Sequence, residues 1–443
     1  MSWPVTVAVL GAGMRGRTLS SYAEEFPDRV RVIAVADPKA DRRDALAGRH
    51  GVPASRRFAD WRDLAGQPRL ADAALVATPD REHAGPGRRL AELGYDVLLE
   101  KPIAATQAEC VELVEAVEVT GVVFGVCHVL RYTPYTATVV RVIKDGRIGR
   151  LVGVDHLEPV GWWHFAHSYV RGNWRRSDES GPSLLTKCCH DLDWLRHIVG
   201  CSASRVFSVA GLRHFTEANR PAGAAERCVD CAVEQQCPYS AVRLYLGCLG
   251  DPERERWPLS VITSRPAEPD VRQALRDGPY GRCVYACDND VADHQVVTIE
   301  FADGVVATLT MSAFTPMGRR RTRIMGTRGW LEGDGHRVTV TDFVSGQVEA
   351  VAPAVGPASG GGHGRGHAGG RRRGHGGGHG GGDFGVMAAF AEAVATRDRS
   401  LIRSSPRESL ESHLMAFAAE RSLLTGRAEP VPLPPSSQQA RQG

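Results

Sequence analysis

The chain has 443 residues, enough for two or three domains, and its 42% hydrophobic and 24% charged residues are typical of a globular protein. The net charge of +3 is too small to indicate a nucleic-acid-binding protein or one that works on a membrane surface. No apolar run approaches the ~18 residues of a membrane span, and the first residues lack the basic segment of an export signal. We therefore expect a cytoplasmic protein whose cysteines are reduced thiols.

The first element is a continuous apolar run, VTVAVL (5–10), which predicts a buried parallel strand. It leads into GAGMRG (11–16), a G-x-G-x-x-G turn, then a helix-like stretch and a second strand, VRVIAVAD (30–37). In such a turn the first glycine permits the tight bend, the second lets the backbone approach a pyrophosphate, and the third allows close packing of helix on strand. The order predicts a dinucleotide site, with cofactor contacts from Gly11, Gly13, Met14, Arg15 and Gly16.

Asp37 ends the second predicted strand, where a carboxylate accepts hydrogen bonds from the adenosine ribose. It favours NAD because it repels a 2′-phosphate, although Arg42 and Arg43 lie nearby and leave NADP open. AALVATP (73–79), DVLLEKP (96–102) and VVFGV (122–126) continue the strand series. The pattern predicts an α/β fold that begins with a Rossmann domain, a doubly wound parallel sheet, over residues 1–127.

GAGMRG, VATPDREH (76–83) and LLEKPIA (98–104), in this order, resemble the glucose–fructose oxidoreductase / inositol dehydrogenase (Gfo/Idh/MocA) family. In that family the E-K-P stretch ends a strand beside the nicotinamide and its lysine is catalytic, which implies this role for Lys101. The resemblance also implies a C-terminal α+β domain with an open, mainly antiparallel sheet, and assembly as a homodimer or homotetramer. Further cofactor contacts are implied at Thr78, Pro79, His83, Glu100 and Lys101.

Lys101 has an argument of its own, because it follows a predicted parallel strand, and ligands bind at the carboxyl ends of such strands. An ammonium there can donate a hydrogen bond to a substrate hydroxyl and stabilise the alkoxide that forms as hydride leaves. The alternative is a surface lysine that caps a loop.

SLLTKCCHDLDWL (183–195) combines helical periodicity with many reactive side chains. At about 100° per residue the apolar side chains gather on one face, which includes Leu185, Cys188, Leu192, Leu195 and Val199. The other face carries Thr186, Lys187, His190, Asp193, Trp194 and His197. We expect the apolar face to pack on the core and the polar face to border a cleft.

The family has a matching helix with an aspartate, a histidine and a later aspartate, and the resemblance places His190 and Asp193 on the last two. Thr186 replaces the first aspartate, with Lys187 beside it. A threonine is no base at neutral pH, so His190 would exchange the proton alone or with Lys187, a cation that favours the neutral imidazole of a general base. Lys101, His190 and Lys187 are therefore the predicted catalytic residues, and Asp193 is a predicted substrate contact. For Lys187 a solvated helix face is the alternative.

The second predicted domain spans residues 128–355, and two of its segments contain candidate substrate contacts. The family places such contacts just after the last Rossmann strand, which implies Arg131 and Tyr132. Residues 149–176 begin as a strand and then become rich in rings and donors, which suit the C–H faces and hydroxyls of a sugar. We predict substrate contacts at Trp163, His164, His167 and Arg171, with a polar surface loop as the alternative. Residues 296–314 and 320–334 alternate like antiparallel strands.

A cysteine-containing insertion is expected near residues 213–290. Its C-x₂-C spacing with further thiols is typical of a structural zinc site. The candidate ligands are Cys228, Cys231, Cys237 and Cys287. An iron–sulfur cluster and unligated thiols stay open as alternatives.

Residues 356–382 are mostly glycine with several histidines, which predicts a flexible loop, and residues 383–428 predict helices that pack on the second domain. The segment HGGGD (379–383) resembles one in NAD-dependent glycosidases of this fold and makes His379 a candidate substrate-site residue. The sequence therefore predicts an NAD(P)-dependent oxidoreductase that acts on a CH–OH group of a sugar, amino sugar or cyclitol. An NAD-dependent glycosidase and a non-catalytic dinucleotide-binding regulator are the alternatives.

Overall fold

A computed structural model describes residues 3–353 and 379–433. Its first sheet has six strands, all parallel, in the order β3-β2-β1-β4-β5-β6. The strands are β1 (Val5–Leu10), β2 (Val30–Ala36), β3 (Arg57–Phe58), β4 (Ala73–Val76), β5 (Asp96–Leu99) and β6 (Phe124–Val126). The predicted doubly wound parallel sheet is thus confirmed. The apolar runs form it because a parallel sheet is covered on both faces, as the burial of all four residues in β4 and in β5 shows.

Helices lie between these strands and cover the sheet. They are α1 (Met14–Ser20), α2 (Tyr22–Glu25), α3 (Ala40–Arg49), α4 (Trp61–Ala65), α5 (Ala84–Glu92) and α6 (Gln107–Glu118). Helix α6 begins where Thr106 accepts a hydrogen bond from the Glu109 amide, an N-cap of the usual kind. Each crossover returns the chain to the same edge, so the loops after β1, β4, β5 and β6 meet at the carboxyl ends of the strands.

The second sheet has nine strands in the order β14-β13-β12-β11-β7-β10-β9-β8-β15. The strands are β7 (Leu151–Pro159), β8 (Ala203–Gly211), β9 (His294–Phe301), β10 (Val306–Ser312), β11 (Arg321–Gly326), β12 (Gly329–Gly333), β13 (Val338–Asp342), β14 (Val348–Val351) and β15 (Glu429–Pro430). Only the β7–β10 pair among these is parallel. This confirms the predicted open, mainly antiparallel sheet of an α+β domain.

The helices of the second half differ greatly in length. They are α7 (Pro134–Lys144), α8 (Trp162–Phe165), α9 (Ser177–Ser180), α10 (Ser183–Val199), α11 (Ala241–Leu246), α12 (Pro252–Arg254), α13 (Ser260–Ile262), α14 (Glu268–Asp277), α15 (Gly382–Thr396) and α16 (Pro406–Thr425). The long helix α10 packs against the inner face of the second sheet and against α16. Between β8 and β9 the predicted insertion forms a small apolar cluster of its own, which includes Tyr245, Val271 and Leu275.

The two C-terminal helices pack on different domains. Helix α16 lies along β8, α10 and α6. Helix α15 instead joins the core of the first domain, where Val386, Met387 and Phe390 are buried with the side chains of β1 and β2. This corrects the expectation that both helices pack on the second domain. Most of the glycine–histidine stretch, residues 356–378, lies outside the described residues. In the part of the chain that is described, no helix has the length and hydropathy to cross a membrane.

Candidate active site

The glycine turn after β1 has the three properties that its spacing predicts. Gly11 has φ +91°, and a Cβ there would lie 2.3 Å from the Ala77 carbonyl oxygen. A Cβ at Gly16 would lie 1.9 Å from the Gly11 carbonyl oxygen, so this position also excludes a side chain. A Cβ at Gly13 would meet no atom within 4 Å. The turn is therefore rigid on its protein side and open at Gly13, which fits the close approach of a pyrophosphate.

The carboxylate of Asp37 lies beside this turn. It accepts hydrogen bonds from the amide nitrogens of Ala12 (2.7 Å) and Lys39 (2.8 Å). The Arg43 guanidinium donates to the Asp37 carbonyl oxygen at 3.1 Å, so a cation lies at the same strand end. The geometry places an acceptor for ribose hydroxyls within reach of the glycine turn.

Arg15, the fifth residue of the G-x-G-x-x-G turn, links three distant segments. Its Nε lies 2.6 Å from Glu100 Oε1, and its Nη2 lies 2.7 Å from Asp383 Oδ1. Burial acts to lower the pKa of Arg15, but the Glu100 and Asp383 carboxylates outweigh it and raise that pKa. Arg15 therefore holds the glycine turn, the E-K-P stretch and the start of α15 together.

Lys101 extends from the end of β5 toward α10, where its Nζ donates to the Thr186 carbonyl oxygen at 2.7 Å. His83 braces the loop beneath it, since its ring nitrogens lie 2.6 Å from the Pro102 carbonyl oxygen and 2.8 Å from the Thr78 carbonyl oxygen. The buried His83 ring thus joins the loops after β4 and β5, and its role is to position them.

His190 lies on α10 one turn after Thr186 and is 5% exposed. Its ring stands edge-on to that of His128, with centroids 5.7 Å apart. Burial, Arg131 and Lys101 together hold the pKa of His128 well below its ordinary value. The ammonium of Lys101, from the first domain, and the imidazole of His190, from the second, thus lie against the same turn of α10.

A buried charge cluster borders the other side of this turn. Lys187 Nζ lies 3.1 Å from Glu158 Oε1 at the end of β7, and Arg320 Nε lies 3.1 Å from Glu158 Oε2. Arg320 also pairs with Asp191. Burial would raise the pKa of Asp191, but Arg320 and His156 hold it well below its ordinary value. The positive charge of Lys187 is therefore compensated by Glu158, and this ion pair fixes Lys187 one helical turn before His190.

Aromatic side chains of the second domain pack beside the loop after β4. Trp174 Nε1 donates to Asp80 Oδ2 at 2.8 Å and so joins the second domain to the loop after β4. Desolvation raises the pKa of Asp80 against the opposing effects of His83 and Lys101. Burial holds the pKa of His164 well below its ordinary value, and Lys187 adds to this, so a neutral His164 borders the site. Tyr169 stacks on Trp174 with ring centroids 5.8 Å apart.

Three predicted substrate contacts lie instead in a buried network. Arg131 Nε and Nη2 donate to the two oxygens of Asp193 at 2.7 and 2.8 Å, and both side chains are at most 1% exposed. The Tyr132 hydroxyl lies 2.9 Å from Ser404 Oγ. Their polar atoms have protein partners, so Arg131 anchors α10 through Asp193, and Tyr132 contacts the loop before α16.

The remaining predicted contacts separate into two places. Trp163 packs on Trp257 next to His164, with centroids 5.2 Å apart. His167 is buried under the insertion, where its Nδ1 lies 2.6 Å from the Tyr245 hydroxyl and burial lowers its pKa to about 3. Arg171 lines a cavity whose wall also includes Trp163. For His379 only the backbone is described, so its predicted part in the site lies outside the described side chains. Asp383 of the same motif is fully buried against Arg15.

The zinc prediction has no support in the structure. Within residues 3–353 and 379–433, no group of three or more His, Cys, Asp or Glu side chains is arranged to hold a metal ion. Cys287 Sγ donates to the Cys283 carbonyl oxygen at 3.1 Å, and Cys228 Sγ accepts from Arg171 Nη2 at 3.5 Å. The candidate thiols Cys228 and Cys287 thus have protein partners, while Cys231 and Cys237 are half-buried.

Sequence reasoning did not name five residues that the structure brings near Lys101 and Lys187: Asp80, His128, Glu158, Tyr169 and Arg320. For two of these, position alone was a signal, because Asp80 and His128 each follow a parallel strand at its carboxyl end. No local pattern marks the other three: Glu158 and Arg320 meet through the long-range pairing of β7 and β11, and Tyr169 follows α8.

The sequence matches two family models. The Gfo/Idh/MocA model described as an oxidoreductase family with an NAD-binding Rossmann fold matches residues 5–128, and its C-terminal alpha/beta domain model matches residues 140–433. Among curated proteins, the chain is 26% identical over 211 residues to 2,7-anhydro-N-acetylneuraminate hydratase of Escherichia coli (strain K12), covering 47% of this chain and 53% of the relative.

It is also 27% identical over 212 residues to levoglucosan dehydrogenase of Pseudarthrobacter phenanthrenivorans, covering 44% of this chain and 51% of that protein. The chain thus spans about half the length of these relatives. Among solved structures, levoglucosan dehydrogenase in complex with NADH and levoglucosan superposes with a TM-score of 0.68 at 20% identity, over 97% of this chain and 100% of the other.

Proposed function

Because the chain belongs to the Gfo/Idh/MocA oxidoreductase family, we propose that it is an NAD-dependent dehydrogenase of a sugar, amino sugar or cyclitol. One observation carries the proposal: Lys101 Nζ donates to the Thr186 carbonyl oxygen at 2.7 Å, one helical turn before His190. An ammonium and an imidazole on one helical turn supply the hydrogen-bond donor and the base that oxidation of a carbinol requires. The sugar-derived substrates in the names of two relatives support this substrate class.

The residues of the cleft have separate tasks in this reaction. A bound nicotinamide dinucleotide supplies the hydride acceptor or donor, and the turn at Gly13 together with Asp37 would hold its pyrophosphate and ribose. An ammonium has three N–H donors, and Thr186 takes one of them from Lys101. The others are left to hold the substrate oxygen. As the C–H bond breaks and hydride leaves, His190 accepts the hydroxyl proton and Lys101 stabilises the alkoxide.

The choice of NAD rests on Asp37. Its carboxylate is held by two backbone amides, so it stays at the ribose position and repels a 2′-phosphate. Arg43 donates to the Asp37 backbone carbonyl and pairs with Asp44, with Nε 3.7 Å from Oδ1, so its charge is already partly compensated without a 2′-phosphate. We therefore propose NAD as the preferred cofactor.

The test uses Lys101→Met and His190→Gln, with Lys144→Met as the matched control, because Lys144 is an exposed lysine at the end of α7. Reduction of NAD is followed at the nicotinamide absorbance band with a panel of hexoses, anhydro sugars and inositols. We expect kcat to fall about 10²–10⁴-fold in each site variant and to stay unchanged in Lys144→Met. NAD binding, measured by protein fluorescence, should survive in His190→Gln. Turnover of both variants within a few-fold of wild type would exclude these roles.

We also propose that the outer face of the second sheet joins two copies of the chain. Phe207 and Val209 on β8 are 40% and 56% exposed, and Val306 on β10, two strands away across β9, is 44% exposed. Such apolar exposure is typical of an interface. Light scattering during size exclusion would show a dimer or tetramer for the wild type and a smaller particle for Phe207→Asp/Val209→Asp. A monomeric wild-type protein would exclude this proposal.

A further inference from the structure

A cavity lies between helix α8 and the insertion, and neither Lys101 nor His190 is among the residues that line it. Its volume is about 310 Å³, within the range of small-molecule pockets. Two indoles, a phenol ring and three guanidinium groups contribute to its wall: Trp162, Trp163, Tyr239, Arg171, Arg243 and Arg254. No aspartate or glutamate is among the described residues that line it. The wall is thus both aromatic and cationic.

Arg171 is the critical part of this wall. It is 1% exposed, its Nε donates to the Arg282 carbonyl oxygen at 2.7 Å, and its Nη2 donates to the Tyr239 carbonyl oxygen at 2.8 Å. Its Nη1 has no hydrogen-bond partner in the described part of the chain. A buried guanidinium that meets only neutral groups is unfavourable, because neither its charge nor its remaining donors are compensated. Nη1 is itself shielded from solvent, so Arg171 is held in place as a buried positive charge behind the wall of the cavity.

The other two arginines add positive charge without a counter-ion. Arg243 donates to the carbonyl oxygens of Gln235 (3.0 Å) and Cys237, and Arg254 donates to the Gly247 carbonyl oxygen at 2.6 Å. Neither makes an ion pair with any described carboxylate. Guanidinium groups bind carboxylates and phosphates through paired N–H donors.

We propose that this cavity binds an anionic sugar, with the oxyanion, a carboxylate or a phosphate, on the exposed guanidinium groups of Arg243 and Arg254 and the buried charge of Arg171 behind them. Trp162, which is 39% exposed, and Trp163 offer apolar ring faces to the C–H side of the sugar. The site goes beyond the proposed dehydrogenase activity, and its occupancy is measured by binding, so it does not depend on turnover.

The experiment is isothermal titration of the full chain with glucuronate, glucose 6-phosphate, glucose and acetate. We expect binding of glucuronate or glucose 6-phosphate, and the one that binds identifies the oxyanion. Glucose and acetate should each bind at least about tenfold more weakly, because glucose lacks the oxyanion and acetate lacks the sugar ring. Equal binding of acetate and the anionic sugars, or no binding of either anionic sugar, would overturn the proposal.

Variants assign the binding to this cavity. Arg243→Gln and Arg254→Gln change exposed side chains, and each should weaken the anionic sugar about tenfold or more. The matched control is Arg276→Gln, which removes the same charge from an exposed position on α14 of the same insertion, and it should bind like wild type. Arg171→Lys keeps the positive charge but loses the paired N–H donors of the guanidinium group, and this variant should also bind the anionic sugar weakly. If Arg243→Gln and Arg254→Gln both bind like wild type, the cavity is not the site.

Discussion

Replacing Arg131 by methionine should destabilise the protein strongly without weakening substrate binding. Arg131 and Asp193 form a two-point ion pair that is at most 1% exposed, with Arg131 Nε 2.7 Å from Asp193 Oδ2. Burial acts to lower the pKa of Arg131, yet Asp193 raises it above its ordinary value, so the pair is favourable in place. Removal of one partner from such a pair leaves a buried charge and costs about 3–5 kcal/mol.

The expected loss can be measured as a shift in thermal midpoint. For domains of this size about 3–5 kcal/mol corresponds to about 6–20 °C, which differential scanning calorimetry resolves easily. Asp193→Leu should cost a similar amount. The double variant Arg131→Met/Asp193→Leu should cost less than the two single changes together, because it leaves no unpaired charge.

Kinetics distinguish this structural role from the substrate contact that the sequence predicts. At a temperature where Arg131→Met is folded, its KM for a sugar or inositol that the enzyme oxidises should stay within about twofold of the wild-type value. A thermal midpoint within about 1 °C of wild type together with a large rise in KM would refute the structural assignment and restore Arg131 to the substrate site.

Three further predictions test the cofactor site and the core. Gly11→Ala should abolish dinucleotide binding in a fluorescence titration, because its φ is +91° and a Cβ would lie 2.3 Å from the Ala77 carbonyl oxygen, whereas Gly48→Ala should bind normally. Asp37→Ser should raise the ratio of kcat/KM for NADP to that for NAD at least about tenfold, and an unchanged ratio would argue against Asp37 as the selector. Burial lowers the pKa of His413 to about 3, so the unfolded chain binds its proton more readily between pH ~6.5 and ~3. Stability should therefore fall with acidification below pH ~6.5 by about 1.4 kcal/mol per pH unit from this group, and His413→Gln should reduce that slope in urea titrations at several pH values.

The first sheet could be predicted from the sequence because its signals are local. Five of the six parallel strands lie in mostly apolar runs, and the glycine turn is encoded within residues 11–16. The sixth strand, β3 (Arg57–Phe58), is too short and too polar to give such a signal and was not predicted. The same holds for the placing of Lys101, which needs only the end of a strand. His190 needs one more step, the assignment of a two-faced helix, and the periodicity of residues 183–195 supplies it.

The contacts that sequence reasoning missed or misplaced are all long-range. Arg131 and Asp193 are 62 positions apart, and Arg15 and Asp383 are 368 apart. A charged residue near a predicted site is expected to face a ligand until its partner is known, and local patterns do not reveal that partner. Helix α15 is buried over most of its surface, so its sequence indicated a core position but not which of the two cores. The cysteine spacing was likewise compatible with zinc, whereas the thiols found other partners.

The position of helix α15 has a consequence for synthesis of the protein. Residues 3–128 leave the ribosome more than 250 residues before the segment that completes their core. Until then the side of β1 and β2 that α15 covers is apolar and exposed, because Val386, Met387 and Phe390 have not yet been made. The nucleotide-binding half therefore cannot reach its final form until residues 382–396 have been made. A nascent chain arrested before residue 379 should accordingly be a chaperone client, and cells that terminate translation early would release an aggregation-prone fragment and no usable cofactor domain.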